Sequence, residues 1–212
     1  MSRWMFVWSV ALGALGCTSF STVRTARVSP GSSVTLQASV ASRPGDDAAW
    51  FWNIRCPQNC DRVIPSADIA YGYGRAQSKV PHTVGGGLNG ASIYVEGYAQ
   101  ISTAKQLPFG VGGRLGVPLG GWSEHQMYAR ADLPLGDHIR LVWNPGIFYR
   151  TGDSNGTSGS FLGLVQGFGV ALGPVTPSVA IVWGRTERTI AGNPTNEARK
   201  VFAAGALSVT VR

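Results

Sequence analysis

The stretch ASIYVEGYAQIS, residues 91–102, decides the fold. Ile93, Val95, Gly97, Ala99 and Ile101 alternate with Tyr94, Glu96, Tyr98 and Gln100, and a period of two puts one set on each face of a strand. The pattern repeats downstream. Phe109, Val111, Gly113, Leu115 and Val117 alternate with Gly110, Gly112, Arg114 and Gly116. Met127, Ala129, Ala131 and Leu133 alternate with Gln126, Tyr128, Arg130 and Asp132, and Ile139, Leu141, Trp143 and Ile147 with Arg140, Val142, Asn144 and Phe148. One parity is almost free of charge over segments of about ten residues, the length that crosses a bilayer as a strand. The other carries Glu96, Arg114, Arg130, Asp132 and Arg140, too many charges for a dry core. Apolar outside and polar inside is the pattern of a transmembrane β-barrel.

The same periodicity extends the count in both directions. Earlier strands are read over 34–40, 68–75 and 83–88, with Asn89-Gly90 as the hairpin signal into the opening stretch. Later strands are read over 161–172, 177–185 and 201–211, with Gly173-Pro174 as a tight turn. The expectation is an all-β, single antiparallel up-and-down barrel of about ten strands, eight being the alternative. Long connections are expected after the first, seventh and ninth strands and short ones after the second, fourth, sixth and eighth. This places both termini on the short-turn side, which in such barrels faces the periplasm. A soluble β-sandwich is the competing fold, because alternating strands also build two packed sheets.

The start of the chain indicates export. Arg3, the apolar run Met5 to Leu12 and the small residues before Cys17 have the layout of a secretory signal. The division expected is a signal over 1–16, a polar tether over 17–32 and the barrel over 33–212. Ala14-Leu15-Gly16-Cys17 resembles the lipobox of bacterial lipoproteins, with Ala and Leu in reversed order, which implies lipidation at Cys17. That leaves Cys56 and Cys60, four positions apart in a long excursion that also holds Trp50, Phe51 and Trp52. A loop disulfide is the natural reading; a metal site or a redox pair would want further ligands or a βαβ setting.

Composition fits this class: 29 glycines and a net charge of +7, with no long helical periodicity. In an exported protein such a positive balance meets lipid phosphates rather than nucleic acid. Cys17 with Thr25-Ala26-Arg27 and Pro30-Gly31, the stretch Tyr71-Gly72-Tyr73-Gly74-Arg75 and the strand Val95-Glu96-Gly97-Tyr98 resemble small outer-membrane lipoproteins of Gram-negative bacteria, over about half the chain. The resemblance implies an outer-membrane barrel and no activity. The ending Val209-Thr210-Val211-Arg212 departs from the aromatic terminus usual in such barrels.

Candidate chemistry is sparse. His82, His125 and His138 fall near strand ends, and Ser123-Glu124-His125 offers a nucleophile, an acid and a base. Adjacent residues of a strand point to opposite faces, so Glu124 cannot join the other two directly, and a membrane-rim location is expected instead. No catalytic, cofactor or metal motif is present, and the expectation is a protein that is not an enzyme. Arg150, Arg185, Arg188, Arg199 and Lys200 are read as loop residues facing lipopolysaccharide, the expected partner together with outer-membrane lipids. The expected role is structural or interactive, in a monomer, with a largely closed lumen cross-linked by Glu96, Arg114, Arg130, Asp132 and Arg140. A narrow anion pore or small-ligand barrel is the alternative. Gly110, Gly112 and Gly116 are expected to widen the interior locally.

Overall fold

A computed structural model describes residues 23–42, 63–89, 92–102, 107–118, 122–136, 138–154, 157–190 and 193–212. The signal stretch, Cys17, Cys56, Cys60 and the Trp50–Trp52 cluster lie outside these residues. Ten strands follow one another: β1 (Gly31–Ser42), β2 (Val63–Arg75), β3 (His82–Asn89), β4 (Ser92–Ser102), β5 (Phe109–Pro118), β6 (Trp122–Pro134), β7 (Ile139–Ser154), β8 (Thr157–Leu172), β9 (Val175–Ile190) and β10 (Asn193–Val211). Each pairs antiparallel with its sequence neighbour, and β1 pairs with β10, from Val34 opposite Val211 to Ala41 opposite Ala204. The sheet therefore closes and leaves no edge. This rules out the two-sheet sandwich.

The apolar parity faces outward. Val95 is 62% exposed, Val117 66% and Met127 71%, a cost that only a lipid surroundings removes. The other parity is buried with polar groups: Asp68, Ser92, Arg114, Glu124, Arg130, Asp132 and Arg150 are all inside. A chain that hides its charges and displays its aliphatic side chains is built for a bilayer.

Two expectations change. The connections after β7 and β9 are not long polar loops: Ser154 pairs with Thr157 and Ile190 with Asn193, so β7–β8 and β9–β10 run on as extended hairpins. The apolar alternation stops near residues 148 and 185, but backbone pairing does not need it once the strands leave the hydrocarbon. The tether also differs from its reading. From Val23 to Ala26 the chain lies within the barrel, where Val23 is 1% and Ala26 0% exposed, and through the exposed Arg27 and Pro30 it reaches the rim. It passes to β1 through Gly31, whose φ of +84° favours glycine.

Candidate functional site in the lumen

The segment over residues 23–30 is held by its backbone, at every second residue. Arg24 N–H donates to Asn144 Oδ1 at 2.8 Å, and Asn144 Nδ2 donates back to the Arg24 carbonyl at 3.2 Å. Ala26 N–H donates to Asp132 Oδ1 at 2.7 Å, and the Tyr98 hydroxyl donates to the Ala26 carbonyl at 2.7 Å. Val28 N–H donates to Gln100 Oε1 at 3.0 Å. Side chains of β4, β6 and β7 thus supply the partners that a neighbouring strand would otherwise give, which is what buried backbone requires.

Glycines of β8, the strand beside Asn144, seat the same segment. A Cβ at Gly167 would lie 2.8 Å from one Val23 methyl, and at Gly169 2.9 Å from the other. Val23 fills that bare wall together with Val142 and Ala171.

Beside the segment lies a cluster of charges and rings. Glu96 accepts from Arg114 Nη2 at 3.1 Å, Arg24 Nη1 at 3.3 Å, Arg130 Nη2 and the Tyr128 hydroxyl. Asp68 accepts from the Tyr94 hydroxyl at 2.8 Å and Arg114 Nη1 at 3.3 Å, and Arg24 Nη2 stands 3.8 Å away. Three guanidinium groups therefore meet two carboxylates. Aromatic faces offset part of the excess positive charge: Arg114 lies 3.8 Å over the Tyr94 ring, and Arg130 sits 4.6 and 4.5 Å from the centroids of Tyr98 and Tyr128. Charges this deep are tolerated because they are paired and hydrogen-bonded.

Of the five lumen charges read from sequence, Glu96, Arg114 and Arg130 meet in this cluster. Asp132 and Arg140 form a second group 3.9 Å apart, where Asp132 also holds the segment. Reading the strands alone missed Asp68, Tyr94 and Tyr128, although all three share the inward parity of their strands. It also missed Arg24, which lies in no strand. Gly110 and Gly112 do not widen the interior: the Tyr98 and Tyr128 rings lie against them, and a Cβ at either would strike a ring.

Nearer the other rim, Glu124 accepts from Asn89 Nδ2 at 3.0 Å and lies 3.7 Å from Arg150, which is wholly buried. Arg150 therefore points into the barrel rather than outward, and Glu124 is buried beside it. Ser123 bonds the Thr151 carbonyl at 3.3 Å, and His125 stacks on Tyr149, with centroids 6.3 Å apart. The Ser–Glu–His stretch thus splits across the wall. His82 and His138 lie at the opposite rim, in β3 and the β6–β7 turn. Arg185 is exposed, 4.0 Å from Glu187; Arg188, Arg199 and Lys200 belong to β9 and β10, their side chains lying outside the described set. No three His, Cys, Asp or Glu side chains gather as a metal-binding group among the described residues.

A closed ten-strand antiparallel barrel, aliphatic outside and filled with ion pairs, defines a transmembrane β-barrel with an occupied lumen. No family model matches the chain, and no curated protein matches it in sequence. Among solved structures it is similar to the outer membrane protein OprG from Pseudomonas aeruginosa, at 10% identity over 89% of this chain and all of that one, with a TM-score of 0.33. At that level the likeness carries no mechanism.

Proposed function

We propose that this chain is an outer-membrane barrel with a structural or interaction role and a lumen that does not conduct. The observation that supports this reading is the segment over residues 23–30, bonded to β4, β6 and β7 and backed by the Glu96 cluster. A ten-strand barrel is narrow, and an open aqueous channel generally needs about sixteen strands. Planar-bilayer recording of the purified full chain tests it. Silence is expected; stable, anion-selective conductance that changes in Arg130→Ala overturns it, and would favour the second reading, a narrow anion route, which the excess of arginine supports.

The same proposal takes the rim shared by Gly31 and Val211 as periplasmic and Cys17 as lipidated, since an even strand number returns the chain to its starting side. Mass spectrometry of the mature N-terminus checks the lipid: diacylglyceryl mass on Cys17 is the expected result, and cleavage elsewhere removes the anchor. The role is read as non-enzymatic because Glu124 and the Ser123–His125 pair face opposite sides of β6. An altered lipid A profile on overexpression would contradict that reading.

A further inference from the structure

At the rim where β1 begins and β10 ends, the lumen opens into a cavity of about 800 Å³. One wall is the inserted segment, through Thr25, Arg27 and Ser29; the other is His138, Arg140 and Arg212. A smaller hollow continues inward, where Arg24 and Arg130 join hydroxyl groups of β1, β9 and β10. Three of these arginines, Arg24, Arg130 and Arg140, line the two hollows and have a buried guanidinium nitrogen without a hydrogen-bond acceptor. Arg140 Nη1 stands 3.9 Å from Asp132, beyond hydrogen-bond range, and has no other acceptor. Arg130, 95% buried, leaves its Nε without a partner. Asp132, the carboxylate beneath Arg140, is fully buried and already accepts from Ala26 N–H.

We infer that this cavity is a binding site for a phosphate-type oxyanion. Planar guanidinium forks and hydroxyl donors around one cavity match the three-oxygen face of a phosphoryl group. Because the segment supplies one wall, the anion binds only while residues 23–30 are seated, and its binding tightens their seating. The site does not depend on whether the lumen conducts, so a conducting barrel would overturn the proposed function and leave this inference intact.

The test is calorimetric titration of the full chain in non-ionic detergent with inorganic pyrophosphate. Saturable binding is expected, with Arg27→Gln and Arg140→Gln each weakening it about tenfold, while Arg185→Gln on the far rim leaves it unchanged. Heat-dependent gel mobility reports whether each variant is folded, and Arg140→Lys, which keeps the charge but loses the fork, provides a milder change with the same direction. Pyrophosphate should also slow tryptic cleavage after Arg27. Repeating the titration in phosphatidylcholine vesicles with and without phosphatidylglycerol separates the two sources of such a group. Loss of pyrophosphate binding beside phosphatidylglycerol assigns the site to a lipid headgroup; unchanged binding assigns it to a soluble phosphate. No saturable binding at millimolar pyrophosphate, or wild-type affinity in both Arg27→Gln and Arg140→Gln, overturns the inference.

Discussion

The two walls of the barrel fill the interior in opposite ways. From β2 to β6 the inward positions carry long polar side chains, Asp68, Tyr94, Glu96, Tyr98, Arg114, Tyr128 and Arg130, which reach across the lumen and bond to one another. From β8 to β10, apart from Phe161, Val165 and Val182 toward the far rim, they carry short residues such as Gly167, Gly169, Ala171, Ala180, Ala204 and Ser208. The inserted segment lies between, bonding the long-armed wall and packing its Val23 on the bare one. Two solutions to one packing requirement coexist: close-packed interiors leave few voids, and where side chains are too short, backbone from elsewhere in the chain takes the space.

The hardest break of this contrast is on the long-armed side. Glu96→Ala leaves Arg24, Arg114 and Arg130 without their shared carboxylate, and should cost about 3–5 kcal/mol. Guanidinium unfolding in vesicles measures it, with exposed Glu187→Ala as the control, expected within about 0.5 kcal/mol. On the bare wall, Gly167→Leu forces a side chain into Val23 and should cost about 1–3 kcal/mol while displacing the segment. Faster thiol labelling of an Ala26→Cys chain in that background reads the displacement, and unchanged labelling contradicts the seating described. Asn144→Ala removes both bonds to the Arg24 backbone at the boundary of the two walls, an effect of about 2 kcal/mol, which the same unfolding experiment reads. The smallest effect belongs outside the contrast: Arg185→Gln, in an exposed pair, should change stability by less than about 0.5 kcal/mol.

Much of the barrel was legible because a lipid-facing strand writes its environment into every second residue. Ile93, Val95 and Ile101 against Tyr94, Glu96 and Tyr98 give the face and register of β4, and Asn89-Gly90 marks a connection that the structure shows as Asn89 opposite Ser92. The extended hairpins of β7–β10 were not legible, because beyond the hydrocarbon both faces meet water and Thr151 to Ser160 and Thr186 to Lys200 lose the alternation while the backbone pairs on. Arg150 was misplaced for the same reason: it was read with the polar stretch following it, whereas its parity, shared with Phe148, points it inward onto Glu124. The inserted segment left no periodic signal at all. Its bonds are made by side chains more than seventy positions away, from Tyr98 to Asn144, and only the fold brings those partners to residues 24, 26 and 28.

The passage from the segment into β1 bears on how the barrel is assembled. Gly31 is the hinge, and the strand it opens is one side of the β1–β10 seam, the pairing of greatest separation along the chain. Contacts so distant in sequence form late, after the loop-closure entropy has been met. Until that seam is made the sheet is an open trough, and residues 23–30 can be laid into it from the side. When β1 joins β10 the trough becomes a cylinder around residues 23–30.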